Sequence, residues 1–183
     1  MALIDEGVMI NGYICPGHVS VITGLEMYQP IVDKYKIGCV VSGFEPLDLM
    51  QSIYMLIDQY EKEIPKLENQ YKRAVRPEGN KKAQNIMNEV FCPKDDWWRG
   101  LGIIPSSGLG INKNYSAYDT EKIFDVEVED AKEHPGCICG SILKGLKKPM
   151  DCSLFSKICN PSNPIGACMV SSEGACAAYY KYH

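Results

Sequence analysis

Six of the nine cysteines, Cys137, Cys139, Cys152, Cys159, Cys168 and Cys176, fall between positions 137 and 176. Thiolates ligate metals, exchange disulfides and hold iron–sulfur clusters, so this stretch has the densest capacity for chemistry in the chain. The spacing is C-x-C, followed by gaps of twelve, six, eight and seven residues. Gly136, Gly140, Gly145, Gly166 and Gly174, with Pro149, Pro161 and Pro164, interrupt the run. No long helix can carry it, because each proline removes a backbone donor and each glycine costs backbone entropy. Little of it is bulky and apolar, so it needs a staple. Disulfides are the usual staple of a short secreted domain, but the chain begins without an Arg- or Lys-led apolar signal segment and nine is an odd number. Zinc favours paired C-x2-C knuckles, and no C-x2-C occurs. An iron–sulfur cluster takes four thiolates from loops with looser spacing, tolerates a C-x-C start, and is often followed by proline, as in Cys159-Asn160-Pro161. Spacing favours iron–sulfur; disulfides, zinc and unpaired structural thiols stay open.

Other chemistry-bearing residues are few. His18, His134 and His183 are the only histidines, too few for a Ser/His/Asp triad to be drawn. His18 follows Cys15-Pro16-Gly17 in a strand-to-helix turn, where α/β units place binding residues. Glu45 stands in a second such turn, Gly43-Phe44-Glu45-Pro46, and its carboxylate could cap the next helix instead. Glycines around Leu101–Ile111 do not form G-x-G-x-x-G between a strand and a helix, and there is no Walker A lysine loop. The net charge of −4 argues against a nucleic-acid surface. Lys144, Lys147 and Lys148 read as a solvated face. With no run of eighteen apolar residues, the sequence gives no membrane span, and the expected location is the reducing cytoplasm.

The elements that must position these residues follow from periodicity. Val8–Ile14 reads as a strand, Ser20 as the cap of a helix running towards Tyr35 with a break at Pro30, and Ile37–Ser42 as a strand buried on both faces. A helix from Leu47 to about Lys62 places Leu47, Met50, Ile53, Tyr54 and Ile57 on one stripe. Burying that stripe would be worth ~1.5–3 kcal/mol per large side chain, with Met50 and Met55 as core fillers. Leu67–Val75 reads as a strand. Asn80 caps a helix to Phe91 with Ala83, Ile86, Met87 and Val90 inward, and Cys92 reads as a small buried thiol. A glycine-rich strand covers Leu101–Ile111, and the acidic stretch Asp125–Glu133 reads as a linker. The expected class is α/β: a Rossmann-like, partial layered domain over 1–125, truncated at its N-terminal side, then a small cysteine-rich iron–sulfur module over 126–183.

Several segments together resemble the HypD family of NiFe-hydrogenase maturation factors. They are Pro16-Gly17-His18-Val19-Ser20, Val41-Ser42-Gly43-Phe44-Glu45-Pro46-Leu47-Asp48, Asn69-Gln70-Tyr71-Lys72-Arg73 and Glu78-Gly79-Asn80. To these are added Trp98-Arg99-Gly100-Leu101-Gly102, Ile104-Pro105, the C-x-C-G at Cys137 to Gly140, and Ala167 to Cys176 (ACMVSSEGAC). The resemblance covers essentially the whole chain. It implies a 4Fe-4S cluster in a C-terminal module, and action with a HypC-like chaperone and a HypE-like cyanide donor in assembling an iron–dicyanide–carbonyl unit. With four ligands to choose from six thiols, the preferred set is Cys137, Cys152, Cys159 and Cys176, with Cys139 as the alternative first ligand. That choice leaves Cys139 and Cys168 as redox or structural thiols. The runner-up functions are a cluster-linked thiol–disulfide reductase and a zinc-stapled interaction domain. Family members are longer and carry Cys-Gly-x-His-Glu-His and Pro-Gly-Cys-Pro-x-Cys motifs, neither of which occurs here. The expectation is therefore a C-terminal piece that binds a cluster but does not assemble the iron unit alone.

Overall fold

The computed structural model describes residue 4 and residues 7–125 and 134–183. Most of the expected linker, residues 126–133, lies outside the described residues. The chain divides into two compact units, Ile10–Val90 and Phe91–His183, the second joined by residues before Ile10. The sequence reading sets its boundary at 125/126 instead.

The first unit is a three-stranded parallel sheet in the order β1 (Gly12–Pro16), β2 (Gly38–Ser42) and β3 (Leu67–Asn69). Register runs from Gly12 opposite Gly38 to Pro16 opposite Ser42, then from Cys39 opposite Leu67 to Val41 opposite Asn69. Helices α1 (Gly17–Thr23) and α2 (Gln29–Tyr35) cross from β1 to β2, and α3 (Pro46–Glu61) crosses from β2 to β3. The central strand is buried throughout, as its near-continuous apolar sequence requires in a parallel sheet. Cys15, Tyr28, Val32, Cys39, Val41 and Val75 form the core of this unit. The mixed α/β class with a parallel sheet is as expected from the alternation of elements.

Several boundaries differ. The first strand begins at Gly12 rather than Val8, and α1 follows Pro16 without a loop. Ser20 is therefore no cap: it lies inside α1, fully buried, donates to the Pro16 carbonyl at 2.9 Å and meets Tyr28 Oη at 3.2 Å. The third strand ends at Asn69 because the chain turns there, with the Gln70 and Tyr71 amides both donating to Val41 O. The larger correction concerns α3. Leu47, Met50, Ile53, Tyr54 and Ile57 are all exposed. The inward stripe is Asp48, Ser52, Met55, Leu56 and Gln59, rotated from the expected one. Met55 is half-buried as a filler should be, whereas Met50 is 64% exposed.

A polar helix face can turn inward only if its groups find partners, and these do. Ser52 Oγ lies 2.8 Å from both Ser42 Oγ and the Asp48 carbonyl. Gln59 donates to Glu68 Oε2 at 2.7 Å and accepts from the Lys66 amide at 3.0 Å. Asp48, 4% exposed, accepts two bonds from Arg73 at 2.7 and 2.6 Å and one from Gln70 at 2.8 Å. Gln70 also accepts from the Gly43 amide at 3.2 Å. A Cβ on Gly43 would overlap the Asp48 carboxylate, so the turn after β2 admits only glycine. Hydrogen bonding to Arg73 holds the Asp48 carboxyl down to about 2.

Helix α4 (Lys81–Val90) is capped by Asn80 as expected, Oδ1 accepting from the Ala83 amide at 3.1 Å. It buries no residue, however, and Ile86 is 52% exposed. The second unit opens on an antiparallel hairpin, β4 (Phe91–Trp98) with β5 (Gly102–Ile111), whose register shifts between Lys94 and Asp96. The glycine-rich strand was legible; its partner was not, because Pro93 and the Lys94-Asp95-Asp96 run break the alternation that signals a strand. Cys92 on β4 is exposed rather than buried, since a two-stranded sheet leaves one face uncovered. Short helices α5 (Thr120–Ile123), α6 (Cys139–Leu143) and α7 (Ala167–Val170), and the longer α8 (Ala175–Tyr182), complete this unit. Among the described residues no helix is long and apolar enough to cross a membrane.

Two predictions test this packing. Met50→Gln and Tyr54→Gln on the outer face of α3 should each change unfolding free energy by less than about 0.5 kcal/mol, whereas Ser52→Leu on the inner face should cost about 1–3 kcal/mol, measured by denaturant titration. The second concerns pH. Because the folded carboxyl of Asp48 is held below its ordinary value of 3.8, at about 2, its contribution is full above pH 3.8 and is lost as pH falls towards 2. The stability gap between the protein and Asp48→Asn should close over that window; Glu45, 3.7 Å from Arg73, is the neighbouring carboxylate to control by Glu45→Gln.

Candidate functional site

The C-terminal core is built largely of sulfur. Its buried members are Cys139, Ile142, Cys159, Cys168, Met169, Cys176 and Ala177, with Cys137, Leu154, Phe155 and Ile165 packed around them. Only Ile142 is a large aliphatic side chain in the buried set. Apolar burial of this size holds little by itself, which agrees with the need for a staple read from the sequence.

Local structure explains how loops deliver the thiols. The turn Pro135-Gly136 is fixed by the Cys137 amide donating to His134 O at 2.9 Å, and α6 then starts at Cys139. Cys152 ends a single 3-10 turn, Pro149–Asp151, and its Sγ lies 3.9 Å from Gly136 O. Cys159 closes a tight loop in which its amide donates to Leu154 O at 3.0 Å, and its sulfur accepts from the Ile165 amide at 3.5 Å. Cys168 and Cys176 lie in the first turns of α7 and α8. Gly166 allows the close approach of these segments: a Cβ there would come within 2.6 Å of Cys137 Sγ.

Cys139 Sγ and Cys168 Sγ are 2.7 Å apart, and the Cys168 amide donates to Cys139 Sγ at 3.3 Å. All nine cysteines are free. Hydrogen bonding to Cys139 and then burial push the Cys168 thiol up. Burial pushes Cys176 up to about 11, with added repulsion from Cys139, Cys159, Cys152 and Cys137. Burial also raises Cys137, reinforced by Cys139, Cys152 and Cys159 and opposed by a hydrogen bond from the Cys139 backbone. Thus Cys137 and Cys176 each feel both Cys152 and Cys159. Burial is the largest cause for Cys137 and Cys176 and the hydrogen bond to Cys139 for Cys168; repulsion among the neighbouring thiolates adds to all three.

Among the described residues no three His, Cys, Asp or Glu side chains gather as ligands to a single metal ion would. A four-iron cluster asks for a different arrangement, since each thiolate binds a different iron at a different corner. A donor set of thiols gathered from loops into one small core is chemically of the kind such a group takes.

The α/β unit brings the other two sequence candidates to one sheet end. His18 lies in the first turn of α1 rather than in a loop, and its ring packs on Phe44 with centroids 5.1 Å apart. Glu45 is the residue before α3; its side chain caps nothing and lies 3.7 Å from Arg73 Nη2. Sequence reasoning missed Asp48, whose role rests on a partner 25 positions away. It also missed Arg99, which donates to Ile165 O at 2.7 Å across 66 positions. A second thiol pair, Cys15 and Cys39 on neighbouring strands, is buried in the sheet core, where hydrogen bonding to Cys39 pushes Cys15 up.

Comparison with known proteins identifies the family. Residues 1–183 match the HypD family described as "Hydrogenase formation hypA family". The chain is 47% identical over 177 residues to the hydrogenase maturation factor HypD1 of Bradyrhizobium diazoefficiens, covering 96% of this chain and 47% of that protein. It is 45% identical over 176 residues to HypD of Cupriavidus necator, covering 96% and 46% of the two chains. It is 44% identical over 179 residues to HypD of Escherichia coli, covering 97% and 48%. The chain thus spans about half the length of the curated relatives it matches. On this evidence of match and identity, the chain belongs to the HypD hydrogenase-formation family.

Proposed function

We propose that this chain is the cluster-bearing part of a hydrogenase maturation factor, with Cys137, Cys152, Cys159 and Cys176 holding a 4Fe-4S cluster and Cys139 with Cys168 forming an exchangeable dithiol. The observation that carries the reading is the 2.7 Å contact between Cys139 and Cys168. It supports treating Cys139 and Cys168 as a pair, which would leave the four thiols preferred as ligands on the family resemblance. When bound, the cluster would supply one-electron transfer beside the dithiol. The chain's own residues do the rest. The loops at Cys152 and Cys159 present sulfur without helix, and Gly166 admits Cys137 to the core. The Ile165 amide donates to Cys159 Sγ, a contact that orients that sulfur and favours its charged form. Bound iron would neutralise the crowding that raises Cys137 and Cys176.

In the maturation reading, the partners are a HypC-like chaperone and a HypE-like cyanide donor, and the cargo is the iron–dicyanide–carbonyl unit. The relatives' names support the maturation role; the partners come from the family resemblance. His18, in the first turn of α1, and Glu45, before α3, remain proposed site residues, since ligands of open α/β sheets bind beyond the carboxyl ends of the strands, where both stand. The same Cys139–Cys168 contact favours a second reading, a stand-alone thiol–disulfide reductase. A turnover assay with a small disulfide as substrate and excess dithiol as reductant separates the two: a scaffold does not raise the rate above that of the dithiol alone, whereas a reductase cycles.

Anaerobically prepared protein should contain about four irons and four sulfides per chain; fewer than about two irons would count against the cluster. Cys152→Ser or Cys159→Ser should abolish its visible absorbance, while Cys139→Ser and Cys168→Ser should keep it. Retention of the absorbance in Cys159→Ser would show the ligand set to be wrong.

A further inference from the structure

The outer face of α3 leaves six large apolar side chains exposed. They are Leu47, Met50, Ile53, Tyr54, Ile57 and Tyr60, from 42% exposed at Ile53 to 76% at Leu47. Single apolar residues on a surface need no explanation, but a contiguous stripe of several of them marks a contact face. These six recur at three- and four-residue spacing along a sixteen-residue helix, on the side away from the buried Asp48, Ser52 and Gln59.

The stripe is symmetric about its own centre. Around the midpoint between Ile53 and Tyr54, Leu47 mirrors Tyr60, Met50 mirrors Ile57, and Ile53 mirrors Tyr54. Two copies of α3 laid antiparallel therefore set apolar against apolar at every one of these positions. That is what an isologous two-fold interface requires, in which residue i meets j and j meets i. A face shaped for an unrelated surface has no reason to possess this symmetry.

The charges follow the same midpoint. Glu45 stands before the helix and Lys62 after it, at mirror positions. Both are largely exposed, Lys62 lying 2.6 Å from Asp58 and Glu45 3.7 Å from Arg73. Antiparallel pairing brings each Glu45 to Lys62 of the other copy, whereas parallel pairing sets like charges together. Glu61, also exposed, falls opposite Pro46 in the other copy's first turn, the positive end of that helix dipole. Exposed ion pairs contribute little affinity, so they set the orientation and the stripe supplies the association.

We propose that this face of α3 docks the same face of a second copy of the chain, antiparallel, about a two-fold axis at the Ile53–Tyr54 midpoint. The inference depends on neither the cluster nor the dithiol. Six such side chains at roughly half exposure present about 600 Å² per copy and about 1,200 Å² in a pair, the lower edge of the range for specific interfaces. The dimer is therefore expected to be weak, with a dissociation constant on the order of 10 µM.

The test is sedimentation equilibrium of the full chain as purified anaerobically, from about 1 to 300 µM, with excess reductant so that no intermolecular disulfide contributes. The expected result is a monomer–dimer equilibrium. Met50→Lys and Ile57→Glu should each weaken it about tenfold or more, because each buries an unpaired charge against an apolar side chain. An equimolar mixture of the two variants should recover association. In the mixed pair one contact joins the two introduced charges, and the other keeps Met50 against Ile57. A chain that stays monomeric throughout overturns the proposal, and this arm needs no substitution, so a variant that fails to fold does not remove the test. A dimer that neither variant weakens lies on another face, and a mixture that stays monomeric contradicts the antiparallel register; either result overturns it. If the chain is monomeric but binds the part of a longer relative that it does not cover, and Met50→Lys abolishes that binding, the face belongs to that part and the proposal falls. At chain concentrations well below about 10 µM, denaturant titration of Met50→Gln and Tyr54→Gln reports the single chain, so their small expected effect on unfolding stands.

Discussion

The C-terminal unit depends on crowding of sulfur. Cys139, Cys159, Cys168 and Cys176 are all at least nine-tenths buried in one small core, with Cys137 against them. Protonated thiols fill that space as small apolar groups do. Ionised, they lose hydration and repel one another: burial raises Cys137 and Cys176, hydrogen bonding to Cys139 raises Cys168, and repulsion from neighbouring thiolates adds to each. In the proposed reading, a bound iron core would turn the same conflict into a binding energy, because coordination removes the protons and neutralises the charge. Ile142 and Met169 are the large apolar residues buried in that core, with Ile138, Leu154, Phe155 and Ile165 packed against it.

The proposed division of labour among the thiols rests on one distance. Cys139 and Cys168 are partners of each other at 2.7 Å, and the Cys168 amide also serves Cys139. A dithiol so placed, with the remaining thiols beside it, could exchange electrons in either direction.

The α/β unit rests on a different device, a helix that turns polar groups towards its sheet. Asp48, with Arg73 and Gln70, ties the first turn of α3 to the chain beyond β3 and, through Gln70, to the amide of Gly43. The turn that carries Phe44 and Glu45 is held by this network, and the His18–Phe44 contact extends it to the end of β1. Breaking one partner of such a group leaves a buried charge uncompensated, which costs more than the intact network contributes. The apolar residues displaced from the sheet, among them Leu47, Met50 and Tyr54, lie on the outer face of the same helix.

Legibility in the sequence followed the range of the interaction responsible. The buried β2 strand, the extent of α3, the Asn80 cap and the cysteine spacing were all visible, because local periodicity, a single capping side chain and a run of one residue type decide them. The resemblance carried by Gly43-Phe44-Glu45-Pro46 and by the Ala167–Cys176 segment identified the family for the same reason. The face of α3 that meets the sheet was not visible: the hydrophobic stripe named one side, and partners at Ser42, Glu68 and Arg73 chose the other. The exposed state of Cys92 likewise depended on a strand partner running from Gly102 to Ile111. Composition and spacing determined that six thiols must share one small module. Only the tertiary structure paired Cys139 with Cys168 and tied Arg99 to Ile165, because those contacts join segments that no local pattern connects.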